Sequence, residues 1–184
     1  IALLFDIPIC TKELKKQVIR ALWWKEPFAS LMLHGKIETR TYKTDVRGKV
    51  LICATKKPYT IFELTEITGE HLSIGGLLFC HDLKKSETNG KAIAIADLVD
   101  CRPMTKADEK KCFVKYREPW KELSHHEKHS GKEELVKVYK DKQLWCWVFE
   151  NVESIEPFEI KGKQGWVILT EEEKLKIKVI IKDK

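Results

Sequence analysis

Long apolar runs are missing from this chain of 184 residues, since no segment approaches the roughly 18 consecutive apolar residues that cross a membrane. No signal-peptide pattern is visible, and no internal repeat is evident. The length suits one domain, or one domain with an insertion. We therefore expect an intracellular, cytoplasmic protein without membrane contact. The first residue is Ile, so we also expect an upstream segment in the natural protein.

Closely spaced cysteine pairs are lacking too. None of the six cysteines forms the C-x-x-C pair that is typical of zinc ribbons and thioredoxin-type sites. The cysteines lie far apart and mostly within apolar segments, which predicts buried free thiols in a reducing compartment. They are Cys10, Cys53, Cys80, Cys101, Cys112 and Cys146.

The histidine cluster at 125–129 lacks the spacing of a zinc-binding H-E-x-x-H motif, because only Lys128 separates Glu127 from the second histidine. Three histidines among lysines and glutamates are typical of a solvated segment. Asp97 and Asp100 lie near the end of a strand pattern, where turn or capping roles are common. We therefore predict no metal site and no cofactor.

Positive charge is in excess, with a formal net charge of +6, and it is unevenly spread. Residues 36–57 contain seven basic and two acidic residues, and residues 101–142 contain twelve basic and eight acidic ones. Basic segments of this kind suit a phosphate-rich partner such as nucleic acid. Lysine-rich segments also serve solubility, so both interpretations stay open.

Alternating and continuous apolar patterns predict several strands with helices between them, and hence a small α+β barrel. Segment 116–142 is polar and is predicted to be an exposed excursion, as loop or helix. Predicted strands are Val18–Trp23, Ile37–Tyr42, Lys49–Ala54, Ala92–Val99, Leu144–Asn151, Glu153–Ile160 and Gly165–Leu169. Predicted helices are Thr11–Lys16, Pro27–Leu33 ending at Gly35, Tyr59–Gly69, and Thr105–Lys115 with Thr105 and Asp108 as a capping box.

The junction after the second predicted helix is the most informative part of the chain. Lys36, Glu38 and Arg40 occupy alternating positions, so in an extended segment they share one side. Charges of opposite sign gathered between a helix and a strand suggest a functional site. The alternative is a surface ion-pair cluster that contributes little.

Two further features allow both structural and functional interpretations. Trp145 and Trp147 share a strand face and are core or rim aromatics, or a platform on which a base could stack. The loop Lys161–Gly165 is either a hairpin turn with solvating lysines or a phosphate contact.

Four blocks in order give the chain a family resemblance. They are Trp24-x-x-Pro27-Phe28-Ala29-Ser30-Leu31-x-Leu33-x-Gly35 with Lys36-x-Glu38-x-Arg40, Arg47-Gly48-x-Val50-Leu51-Ile52-x-Ala54, Ala94–Cys101, and Trp147-x-Phe149-Glu150-Asn151 with Pro157-x-x-Ile160–Trp166. The chain thereby resembles an ASCH domain of the PUA-like superfamily over residues 18–169. The resemblance implies a β-barrel of five to six strands flanked by helices, with a cleft beside the first helix. It leaves residues 1–17 as an N-terminal extension and 170–184 as a charged strand or tail.

The resemblance implies a wider range of functions than of folds. Family members are thought to bind RNA or other nucleic acids in transcription coactivation or RNA processing. A small bacterial branch hydrolyses the amide of N4-acetylcytidine, and some members are linked to ribonuclease activity. Lys36 matches a lysine of the amidohydrolase branch, whereas Glu38 stands where that branch has a threonine nucleophile. Lys36 and Glu38 are therefore the catalytic candidates if this chain is an enzyme.

The preferred prediction is a domain that binds RNA or a nucleotide-containing ligand in a basic cleft. Lys36, Glu38 and Arg40 would form the floor, and Trp24 with Lys25 would form one wall, with backbone N–H groups available to an anion. Lys161 and Lys163 would add contacts. The alternatives are a hydrolase or ribonuclease that uses the same cleft, and a protein-interaction module that uses residues 101–142.

Overall fold

A computed structural model describes residues 17–68, 87–114, 116 and 143–180. Several predictions fall outside these ranges: the helix at Thr11–Lys16, nearly all of the polar excursion at 116–142, and its histidine cluster. Cys10 and Cys80 also lie outside the described residues.

Among the described residues, six strands form one sheet that curls into a half-barrel. Their order is β2-β5-β4-β3-β1-β6, and every neighbouring pair is antiparallel except β1 with β3. The predicted α+β class and strand number are therefore confirmed. The strands are β1 (Arg20–Trp24), β2 (Glu38–Arg40), β3 (Gly48–Ala54), β4 (Lys91–Pro103), β5 (Trp145–Glu159) and β6 (Val167–Ile168).

Short helices flank the sheet. Across the described ranges, no helix is long and apolar enough to cross a membrane. The helices are α1 (Phe28–Met32), α2 (Ile61–Thr68), a 3-10 turn (Lys106–Asp108) that leads into α3 (Glu109–Cys112), and α4 (Glu171–Leu175).

Both faces of the central sheet are buried, because alternate residues of β3 enter two different cores. Val50 and Ile52 pack into the larger core, whereas Leu51 and Cys53 pack into the smaller one. The larger core also holds aromatic residues from β1, α1 and β5. Among the described residues, the buried aromatic side chains of the two cores therefore lie on the face of the sheet that α1 covers.

The long strands β4 and β5 differ from the prediction. Two separate strands, Leu144–Asn151 and Glu153–Ile160, are predicted where the structure has one continuous strand of 15 residues. Three register shifts between β4 and β5 let the pair bend without ending, and Asn151 takes a left-handed backbone conformation, with φ of 49°. β4 likewise runs on to Pro103, so Asp97 and Asp100 lie within a strand rather than at its end.

The predicted helix at Thr105–Lys115 is shorter in the structure. The capping box of Thr105 and Asp108 is confirmed, but it begins a 3-10 turn, and α3 ends at Cys112. The next residue, Phe113, adopts a left-handed conformation with φ of 54°, which stops the helix.

The C-terminal segment differs from the predicted charged strand or tail. It contains α4, because Thr170 and Glu173 form a second capping box in which each side chain accepts the backbone N–H of the other residue, at 3.2 and 2.9 Å. Only an isolated bridge between Ile155 and Val179 has strand pairing in the described part of this segment.

Candidate functional site

The end of α1 sets the position of the predicted charged cluster. Gly35, with φ of 79°, occupies the left-handed position that follows a helix. Its N–H bonds to the Met32 carbonyl at 3.3 Å, and the N–H of Lys36 bonds to the Leu31 carbonyl at 3.1 Å. These two bonds are a Schellman motif, which confirms the predicted helix stop. The motif turns Lys36 back against α1, where its Nζ lies 4.5 Å from the centre of the Phe28 ring.

Lys36, Glu38 and Arg40 converge into a chain of ion pairs. The Nζ of Lys36 lies 3.0 Å from Oε2 of Glu38 and also donates to the carbonyl of Ile37 at 3.0 Å. The Nε of Arg40 lies 2.9 Å from Oε1 of Glu38. The side chain of Lys36 is 0% exposed, that of Glu38 is 6% and that of Arg40 is 27%. Two cations against one carboxylate leave the cluster with a net charge of +1, and only Arg40 reaches solvent.

Arg40 is held between aromatic rings. Its guanidinium carbon lies 5.9 Å from the ring centre of Trp24 and 5.8 Å from that of Trp147. Although its Nε is close to Glu38, the N–H is not aligned for a hydrogen bond, so that contact is electrostatic. Within the described residues, neither Nη atom makes a hydrogen bond. The guanidinium therefore has a fixed position and a free outer edge.

A row of three aromatic side chains begins beside this arginine and consists of Trp147, Trp166 and Tyr42. Trp147 is fully buried and stacks on Trp166, with ring centres 5.2 Å apart and planes 4° from parallel. Tyr42 meets Trp147 edge-on at 5.3 Å, and the indole N–H of Trp147 donates to the Tyr42 carbonyl at 3.3 Å. Trp166 is half-buried, and Tyr42 is 47% exposed. The aromatic row therefore runs from the core to the surface.

Tyr59 is a site residue that the sequence interpretation missed, because its segment is predicted there only as a helix, with no role in the site. Its ring packs edge-on against Phe28 at 5.3 Å, and Nζ of Lys25 lies 4.8 Å from its centre. Burial raises the pKa of Tyr59, and the nearby negative charge of Glu38 raises it further. No spacing rule links a tyrosine before α2 to a strand some twenty residues earlier.

The predicted wall of Trp24 and Lys25 is only partly formed. Trp24 is the last residue of β1 and is 3% exposed, so its ring supports Arg40 rather than opening to solvent. The ammonium of Lys25 pairs with Glu63 at 2.8 Å. That hydrogen bond, with those from Thr60, lowers the pKa of Glu63 to about 2.

The backbone amides of this wall are already used. The buried carboxylate of Glu26 accepts the Ser30 N–H at 3.0 Å, the Ser30 hydroxyl at 2.9 Å and the Thr88 hydroxyl at 2.6 Å. The Phe28 N–H donates to the carbonyl of Lys25 at 3.0 Å. The prediction that N–H groups at the start of α1 stand available to an anion is therefore wrong for Phe28 and Ser30.

Lys161 and Lys163 lie on the exposed loop between β5 and β6. In the described part of the chain, neither lysine contacts Arg40. Their loop continues directly into Trp166, whose ring stacks on Trp147. Within the described residues, neither lysine has a hydrogen bond or an ion pair.

Among known proteins, no family model and no curated protein matches the chain. Among solved structures, it is similar to the crystal structure of a mutant ZmASCH protein from Zymomonas mobilis. The TM-score is 0.46 at 13% identity, and the alignment covers 87% of this chain and 96% of that chain.

The carboxylates of β4 have structural partners. Asp97 accepts from Lys49 at 2.9 Å and from Asn151 at 3.0 Å. Burial raises its pKa, but these hydrogen bonds outweigh burial and leave the pKa lowered. Over the ranges that the structure describes, no group of three histidine, cysteine or acidic side chains could hold a metal ion.

Proposed function

We propose that this domain binds RNA or a nucleotide-containing ligand at Arg40 and the adjoining aromatic row. The observation that carries the proposal is the guanidinium of Arg40, fixed by Glu38 and by two indole rings while its Nη atoms make no hydrogen bond within the described residues. A guanidinium held in this way suits a phosphate or the acceptor edge of a base, because its two outer N–H groups can bind such an edge together.

Lys36 and Glu38 then act through Arg40 rather than by touching the ligand. The Lys36 ammonium has no exposed surface and is satisfied by Glu38 and the Ile37 carbonyl. Glu38 in turn sets the position of the Arg40 side chain. Both residues are positioning residues in this proposal, in contrast to the expectation that all three side chains form an accessible floor.

Surface groups near the aromatic row supply the remaining contacts. Trp166 and Tyr42 are partly exposed aromatics on which an unpaired base can stack. Lys161 and Lys163 are exposed cations on the loop that leads to Trp166, and they suit contacts with the phosphates of a nucleic acid.

The geometry favours binding over hydrolysis. An acid–base role for Glu38 would need an oxygen that can reach a substrate proton, but its side chain is almost fully buried, Lys36 is hydrogen-bonded to Oε2, and the Arg40 guanidinium lies 2.9 Å from Oε1. Wild-type protein is therefore expected not to turn over N4-acetylcytidine. Turnover that is lost in both Lys36→Ala and Glu38→Gln would instead make the cluster catalytic.

The test is fluorescence anisotropy of a labelled single-stranded RNA over a series of salt concentrations. Arg40→Ala is expected to weaken binding by about 5- to 150-fold and to reduce the salt slope by about one, since one phosphate or base contact is lost. Arg40→Lys keeps the charge but loses the planar fork, so its affinity should lie between wild type and Arg40→Ala.

Lys176→Ala is the matched control, because it removes one exposed positive charge beside Ile177, a residue of the smaller core. It should change affinity by less than twofold. Folded wild-type protein that fails to bind RNA at low salt would refute the proposal. If Arg40→Ala and Lys176→Ala lost RNA affinity equally, the binding would be nonspecific attraction between charges.

A further inference from the structure

Two buried thiols face each other behind the charged cluster. The sulfur atoms of Cys112, at the end of α3, and Cys146, in β5, lie 3.7 Å apart, and both residues are fully buried. They share a third small core with Met104. Thiols this close need an approach of only about 1.7 Å to reach the roughly 2.05 Å of a disulfide bond.

The hydrogen bond between the two thiols, rather than the surrounding charges, makes Cys146 the more acidic of the pair. A hydrogen bond from the Cys112 thiol lowers the pKa of Cys146, and Arg102 and Lys36 lower it further, whereas burial and Asp108 raise it. The pKa of Cys112 is raised, first by its hydrogen bond with Cys146 and then by burial. Within the pair, a thiolate is therefore favoured on Cys146 over Cys112, and Cys146 is the nucleophile.

We propose that Cys112 and Cys146 are a reversible oxidation site, at which a peroxide closes a disulfide between α3 and β5. The thiolate sulfur of Cys146 attacks one oxygen of hydrogen peroxide, so that an S–O bond forms and the O–O bond breaks, and the hydroxide that leaves takes a proton from solvent and becomes water. Cys112 then attacks this sulfenic sulfur, so that the S–S bond forms, the S–O bond breaks, and a second water carries away the Cys112 proton. The two sulfurs lose two electrons together, and the peroxide gains them.

Cys112 is the last residue of a short element rather than part of a long helix. α3 has only four residues, and the left-handed Phe113 ends it directly after the cysteine. The other two described cysteines lack this arrangement. The thiol of Cys53 contacts the Leu51 carbonyl at 3.8 Å, and that of Cys101 accepts the Thr44 N–H at 3.4 Å.

The site lies directly beside β2, the strand that ends at Arg40. Cys146 is the register partner of Thr39, and the Lys111 carbonyl, next to Cys112, accepts the Ile37 N–H at 3.0 Å. A disulfide that draws α3 toward β5 therefore disturbs both of these contacts, which hold β2 and the residue before it. An effect on ligand affinity follows only if the proposed function holds, whereas the disulfide itself does not depend on it.

The experiment treats folded wild-type protein with hydrogen peroxide, blocks the remaining thiols under denaturing conditions and digests with trypsin. Cleavage after lysines places Cys112 in the peptide 112–115 and Cys146 in the peptide 143–161. We expect these two peptides to appear as one cross-linked species, lighter by two hydrogens than their sum and separated by dithiothreitol.

Variants identify the order of attack. In Cys112→Ser, which keeps a hydroxyl donor beside Cys146 but lacks the resolving thiol, Cys146 should accumulate as a sulfenic acid that dimedone traps. Cys53→Ala is the control, since it removes a buried thiol from the smaller core and should leave the cross-link intact.

The peptide masses from wild-type protein alone test whether the disulfide between Cys112 and Cys146 forms. A variant that fails to fold does not affect that test. Recovery of 112–115 and 143–161 as separate alkylated peptides would refute the proposal. Peroxide-treated protein in which either cysteine is a sulfinic acid, or is linked to a different cysteine, would refute it as well. Because the readout is a peptide mass, failure of RNA binding would leave this result unchanged.

Discussion

Replacing Glu38 with glutamine tests the central claim that one buried carboxylate holds two cations. The substitution keeps the side-chain shape and one acceptor oxygen but removes the charge between Lys36 and Arg40. Breaking a buried ion pair by removing one partner costs about 3–5 kcal/mol. Because glutamine can still accept from one of the two cations, we expect a loss near the lower limit, about 3 kcal/mol, and for a chain of this length a fall in Tm of roughly 6–12 °C.

A double-mutant cycle separates the buried charge from ordinary packing. Lys36→Met should cost only about 1 kcal/mol, because Glu38 keeps Arg40 and the methionine still packs on Phe28. In the double variant Lys36→Met/Glu38→Gln, the unpaired buried ammonium is gone. We therefore expect the double variant to be more stable than Glu38→Gln alone.

Urea denaturation followed by tryptophan fluorescence and by circular dichroism measures the free energy of unfolding, and the six tryptophans provide the signal. A loss below about 1 kcal/mol in Glu38→Gln would refute the claim that the pair is buried and strongly coupled. So would a double variant whose loss equals the sum of the two single losses.

Further predictions concern separate parts of the molecule. Gly35→Ala should cost about 1–2 kcal/mol in urea denaturation, since alanine at φ of 79° is strained although no atom lies within 4 Å of the added carbon; a neutral result would contradict this. Two hydrogen bonds from Arg102 hold the pKa of Asp108 below its ordinary 3.8, so the stability that they supply is complete above that pH and is lost as the pH falls below it. Asp108→Asn should therefore be less stable than wild type near neutral pH, and the difference should narrow below about pH 4; a constant difference would argue against this ion pair. Trp166→Ala should weaken RNA binding about 5- to 150-fold at constant salt slope, because a stacking surface and no charge is lost; an altered slope would point to loss of the neighbouring lysines' contacts instead.

Local rules determined the parts of the site that lie close together in the sequence. A glycine at the end of a helix can take a left-handed conformation at no steric cost, so Gly35 could be identified as the stop of α1. Alternation in an extended segment places side chains on one side, so Lys36, Glu38 and Arg40 could be expected to gather. The capping boxes at Thr105 and Thr170 follow from similarly short spacings, although only the first was predicted.

Tertiary structure decided everything that depends on distant residues meeting. β5 continues past Asn151 because β4 bends with it, which only a paired partner can determine. Tyr59 packs against Phe28, and Cys112 meets Cys146, through contacts between elements that are far apart in the chain. Burial was decided in the same way: the sequence places three charges on one side, but only the packing of α1 and the aromatic residues covers Lys36 and Glu38 and leaves Arg40 facing solvent. Side-chain spacing is a property of the local backbone, whereas solvent exposure is set by whatever the rest of the chain places on top.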